Sequence, residues 1–178
     1  MAIKATVYKA ELQISDMDRH YYQAHALTLA QHPSETLQRM MIRLLIFAIH
    51  ADEKLEFTRG LSSDDEPDLW QKSDDGEIDV WIDLGQPDEK RIRKACGRAK
   101  AVYIYSYSQR SASVWWQKVE NKLSRFDNLH IVTLDDAPCA ELVQLVERSM
   151  RLQCSIQDAE LWLGNDQCSV HIKPEVWK

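Results

Sequence analysis

Ile78-Asp79-Val80-Trp81-Ile82-Asp83-Leu84-Gly85-Gln86-Pro87 is the stretch on which the fold turns. Ile78 to Leu84 is rich in β-branched and aromatic side chains and reads as a strand. Gly85 breaks the pattern. Pro87 then starts a helix, because a first turn tolerates a residue without an N–H. On that helix Ile92, Ala95, Cys96 and Ala99 recur at i, i+3, i+4 and i+7, an inward-facing stripe. Upstream, Asp68 to Lys72 is a second strand candidate, joined to the first through the turn Ser73-Asp74-Asp75-Gly76. The hairpin so formed carries one acid, Asp68 or Asp83, on each strand.

Working outward, Ala101 to Tyr107 reads as a strand and Ser113 to Phe126 as a helix with Trp115, Val119, Leu123 and Phe126 on one face. Leu129 to Leu134 is a strand, and Asp136 with Pro138 caps a helix carrying Leu142, Leu145 and Val146. Three successive strand–helix–strand passages predict right-handed crossovers in a parallel or mixed sheet. Toward the N-terminus, Tyr8, Ala10, Leu12 and Ile14 alternate with polar residues, Ser15 to Asp18 is a turn, and Tyr21 to Ala30 completes a hairpin. His32-Pro33-Ser34-Glu35 opens a helix. Its apolar stripe of Leu37, Met40, Met41, Leu44, Leu45 and Ala48, widened by Ile42, Ile46 and Phe47, predicts heavy burial. Leu55 to Thr58 is a short strand. The tail returns to strands at Leu152–Ile156, Leu161–Leu163 and Ser169–Ile172. The expected fold is α/β, one domain over residues 1–178, with a central mixed sheet, helices on both faces and antiparallel strands added at the ends.

Composition narrows the function classes. With 178 residues, 44% of them hydrophobic, the chain suits one sizeable core. No apolar run approaches the roughly 18 residues of a membrane span, and Met1 to Thr6 has no signal-peptide core. Cys96, Cys139, Cys154 and Cys168 are scattered without a C-x-x-C pair, which argues against a zinc ribbon or disulfide framework and for a reducing, cytoplasmic setting. A net charge of −6 works against gripping nucleic acid unless a basic surface is set apart. Such a separation exists: eleven acids lie between Asp64 and Glu89, and Lys90 to Lys100 then holds six bases and no acid.

Metal-dependent phosphodiester cleavage needs two carboxylates on adjacent strands to hold Mg²⁺, whose bound water becomes the nucleophile, and a cation beside them. The order helix, strand, acid-bearing hairpin, helix, strand supplies that arrangement. The segments Gly60-Leu61-Ser62, Glu66-Pro67-Asp68-Leu69-Trp70, Trp81 to Ile92 and Trp115-Trp116-Gln117 resemble the YaeQ family of small bacterial proteins, over essentially the whole length. The resemblance implies a variation on the PD-(D/E)XK nuclease fold, a restriction-endonuclease-like core at about residues 33–134. By that resemblance Asp68 is the first motif acid and Asp83 the second. The motif lysine is expected two residues after the second acid, where this chain has Gly85.

Two substitutes for the lysine are available: Lys72, four residues beyond Asp68 on its strand, and Lys90 at the start of the next helix. Gln86 can position a water, Glu66 and Asp79 rival the two acids, and Glu35 is a further candidate ligand unless it serves the helix dipole. Lys90, Arg91, Lys94 and Arg98 read either as a phosphate-facing surface or as a face that neutralises the acidic loop. Tyr103, Tyr105 and Tyr107 alternate and either stack bases or lie under a helix. The six histidines form no cluster, and neither a nucleophile elbow nor a glycine-rich phosphate loop occurs. Two functions follow: a Mg²⁺-dependent nuclease-like protein, or a catalytically silent module that contacts nucleic acid or a protein.

Overall fold

A computed structural model describes residues 4–178; of the N-terminal stretch searched for a signal peptide, residues 1–3 lie outside it. The chain is mixed α/β and divides into two compact units, residues 1–51 with 137–173, and residues 52–136 with 174–178. Each unit has its own mixed sheet in place of the central one expected.

In the first unit β1 (Thr6–Asp16) and β2 (Tyr21–Gln31) pair along their whole length as an antiparallel hairpin. β1 also pairs in parallel with β8 (Ser149–Gln157), and β9 (Glu160–Gly164) and β10 (Ser169–Ile172) extend the sheet to the order β10-β9-β8-β1-β2. The strands expected as additions at opposite ends of the chain therefore belong to one sheet. Its inward residues alternate as a half-buried strand requires, with Leu12, Ile14, Leu29, Leu152 and Cys154 inside. Helix α1 (Leu37–His50) is buried at every position from Met40 to Ala48, as its widened stripe demands. It starts later than Pro33 and Ser34 suggested, because Thr36 is the residue whose hydroxyl accepts from the Arg39 amide, at 3.1 Å.

The second unit carries a six-stranded mixed sheet. Antiparallel β3 (Leu55–Phe57), β4 (Leu69–Lys72) and β5 (Ile78–Leu84) lead through α2 (Glu89–Arg98) to β6 (Ala99–Ser106), and through α3 (Gln109–Leu123) to β7 (Leu129–Thr133). β5, β6 and β7 are parallel, so two of the three expected passages are crossovers within one sheet. The third, through α4 (Asp136–Glu141), enters the other sheet at β8 instead. β11 (Glu175–Val176), not foreseen, pairs with β7.

Both crossover helices cover the same face. Ile92 and Ala95 of α2 and Leu123 of α3 join Trp81, Val102, Ile104, Leu129 and Ile131 in one cluster, with Trp115 and Trp116 packed against it. The strand order β5, β6, β7 advances in one direction, and crossovers of one hand then fall on one side. No helix among the described residues is long and apolar enough to cross a membrane, and Cys96, Cys139, Cys154 and Cys168 are in no disulfide.

A buried acid pair closed by Arg91

Leu69 pairs with Ile82 and Trp70 with Trp81, which sets Asp68 opposite Asp83 at the end of the β4–β5 ladder. The Asp68 amide donates to the Ile82 carbonyl at 2.9 Å and extends the pairing by one residue. Both acids are buried, Asp68 at 5% and Asp83 at 2% exposure. Two like charges facing each other across a ladder repel, so each needs its own compensation.

Asp68 takes a backbone amide: Leu84 donates to its Oδ2 at 2.8 Å. Gly60 lies against its other oxygen, at a positive φ of 48°, and a Cβ there would sit 3.1 Å from Oδ1. Glycine is needed at this position on both grounds.

Asp83 is held by side chains. Arg91 donates from Nε to Oδ2 at 3.0 Å and from Nη2 to Oδ1 at 2.9 Å, the planar fork that matches a carboxylate. Trp81, two residues back on the same strand face, donates its indole N–H to Oδ2 at 3.0 Å. Burial pushes the Asp83 carboxyl above the ordinary aspartate value. Arg91 and Trp81 pull it back, and Asp68 adds to the rise. Arg91, for its part, is held more firmly charged by Asp83.

Arg91 has further work. Its Nη1 donates to the Asp64 carbonyl and its Nη2 to the Glu66 carbonyl, both at 3.0 Å. Lys94 pairs with Asp65 at 2.9 Å, and Arg98 donates to the Asp65 carbonyl at 2.9 Å while its guanidinium lies over the Trp81 ring. The basic face of α2 is thus turned to the acidic loop before β4. Of the four residues read as a phosphate surface, Lys90 and Arg98 are exposed without an ion pair among the described residues, and Arg98 is engaged by the Asp65 carbonyl.

Position 85 does not suit the lysine that the resemblance implies there. β5 ends at Leu84, and Gly85 follows at a φ of 104°, its amide bonded to the Tyr105 carbonyl. An L side chain there is strained and no longer on the strand. Neither proposed substitute reaches Asp83. The Lys72 ammonium sits 3.8 Å from the centre of the Trp70 ring, past a register shift between Gln71 and Lys72.

The rival acids are engaged elsewhere. The Glu66 carboxylate accepts from the Arg59 amide at 3.0 Å, and Asp79 pairs with Lys100 at 2.9 Å. Gln86 donates to the Ser111 hydroxyl at 2.8 Å. Glu35, in the first unit, precedes the Thr36 cap, so the dipole explanation does not apply. It is buried between Arg43 and Arg39, with contacts of 2.7 and 2.8 Å. Tyr105 is buried and Tyr103 stacks on His130 at 4.5 Å, so these two side chains are sheet packing and no open stacking row.

The cation beside the acids is therefore Arg91, read from the sequence only as a phosphate contact. Asp88 caps α2 by accepting from the Arg91 amide at 2.8 Å. An arginine in the first turn after an acid-ended strand was the signal that could have found it. A Mg²⁺ ion does not fit the pair as it stands, since both Asp83 oxygens are taken and the described residues contain no group of three potential metal ligands.

Comparison with known proteins gives a consistent picture. A family model described as YaeQ protein matches residues 1–174. YaeQ proteins of Salmonella typhi and Escherichia coli (strain K12) are 47% and 46% identical over 178 residues, all of this chain and 98% of each relative. The crystal structure of the YaeQ protein from Xanthomonas axonopodis pv. citri superposes with a TM-score of 0.95 at 52% identity, covering 98% of both chains. That of the Pseudomonas syringae YaeQ protein gives 0.93 at 33% identity, over 98% of this chain and 96% of that one.

Proposed function

We propose, from the premise that this chain belongs to the YaeQ family, that it acts as a binding module without phosphodiesterase activity, on an architecture related to the restriction-endonuclease-like core. The observation that carries this reading is the Arg91 fork on Asp83. A carboxylate that already accepts three hydrogen bonds has little capacity left for a hydrated cation. In this reading the acid pair is structural: with Arg91 it fastens the loop at residues 60–66 and helix α2 to the sheet edge.

One observation favours the other reading, a Mg²⁺-dependent nuclease, namely that Asp68 and Asp83 do stand opposite each other on neighbouring strands. Metal titration separates the two. With Mn²⁺ raised to millimolar concentration, no selective line broadening is expected at Asp68 or Asp83, and no cleavage of single-stranded, duplex or branched DNA or of RNA. Metal-dependent cleavage that disappears in Asp68→Ala plus Asp83→Ala would establish the nuclease and remove the module reading.

A further inference from the structure

We propose that the carboxyl ends of strands β5, β6 and β7 carry a binding site for a small organic anion with an apolar body, its charged head held by Arg110 and Lys118 and its body against Val114 and Trp115. Gln86 follows β5, Ser108 follows β6 and Asp136 follows β7. All three line one open depression of about 650 Å³, together with Arg110, Ser111, Val114, Trp115 and Lys118. This is the edge at which open parallel sheets take their ligands, and the volume suits a metabolite-sized molecule.

The charge pattern indicates the ligand. Arg110, Val114 and Lys118 fall at i, i+4 and i+8, one face of α3, with the Cα atoms of the two basic residues about 12 Å apart along the axis, a gap that two long side chains can close from both ends. Neither cation forms an ion pair among the described residues, whereas Arg91 and Lys94 on α2 both do. Between them Val114 is 49% exposed, an apolar side chain set in a cationic stripe. Trp115 is fixed in place because its indole N–H donates to the Pro87 carbonyl at 2.8 Å.

Hydrogen-bonding groups complete the rim. The Ser108 hydroxyl does not cap α3. Gln86 holds Ser111 at 2.8 Å and keeps its carbonyl oxygen as an acceptor.

Asp136 sets the polarity of the site. It already accepts from the Gln109 amide at 2.7 Å, so the start of α3 is occupied and repels a second anion. The charged head is left to the side chains of Arg110 and Lys118. This site uses neither Asp68 nor Asp83, so it goes beyond the module reading and stands or falls apart from it.

Anilinonaphthalene sulfonate, an aromatic anion whose emission rises in an apolar site, is the direct probe. The folded protein is expected to bind it saturably at one site, in competition with naphthyl phosphate and not with inorganic phosphate alone. Arg110→Glu plus Lys118→Glu should weaken binding by about tenfold or more, through loss of both charge-assisted contacts, with the near-ultraviolet circular dichroism unchanged. If that double variant does not fold, Lys118→Glu alone gives the readout at an exposed position. Absence of one-site binding, or affinity indifferent to these charges, overturns the proposal. Displacement by inorganic phosphate alone overturns its apolar half.

Discussion

Arg91 decides the chemistry of its unit through the atoms it occupies. One guanidinium closes both oxygens of Asp83 and two loop carbonyls, so removing it affects more than one contact. Arg91→Ala leaves Asp83 buried beside Asp68 with the indole N–H as its remaining donor. Because Arg91 itself keeps partial access to water, the expected cost is at the low end for breaking a buried pair, about 3 kcal/mol. Urea denaturation measures it. A loss below about 1 kcal/mol, the level of an exposed pair, would mean that the fork contributes little. The pair of acids was legible in the residues because β-period spacing and the 73–76 turn place them on facing strands. Which base would meet them was not legible: four bases lie within one turn or so of α2's first half, and only the orientation of the helix on the sheet selects among them.

At the scale of elements, most strands and helices could be read from periodicity, and the errors have local causes. Proline and serine at positions 33 and 34 suggested an early start for α1, but the Thr36 hydroxyl offered the better cap. Glu35 then lies outside the helix, where Arg39 and Arg43, four and eight residues on, converge on it. Arg43 is 5% exposed, so Glu35→Ala strands a charge in the interior. A loss of roughly 3–5 kcal/mol is expected from thermal or urea unfolding, whereas Thr36→Ala should cost only about 1 kcal/mol as a lost cap. A smaller effect for Glu35→Ala than for Thr36→Ala would show that the pair is not needed to hold the start of the helix. The short β11 escaped notice because two residues carry no period.

For the whole molecule, a net charge of −6 and a basic run in one place left two readings, a nucleic-acid face or a face that neutralises the acidic loop. Folding spends Arg91, Lys94 and Arg98 of that run on the Asp64–Glu66 loop and on Asp83. Binding to duplex DNA through α2 is therefore expected to be weaker than about 10⁻⁴ M at physiological salt, below ordinary non-specific affinity. Fluorescence anisotropy with labelled duplex checks this, and a micromolar complex that weakens with salt and with Lys94→Glu plus Arg98→Glu would reinstate the phosphate face. What the sequence determined by itself is the α/β class, the element order from the acid-bearing hairpin to β7, and the placing of Asp68 and Asp83 on neighbouring strands, because these follow from local spacing and turn chemistry. Only the tertiary structure decided that the terminal strands form a second sheet, that α2 and α3 share one face, and that Arg91 closes the acid pair. Those outcomes depend on which surfaces meet, and residues eight or 140 positions apart in the chain leave no periodic trace of their contact.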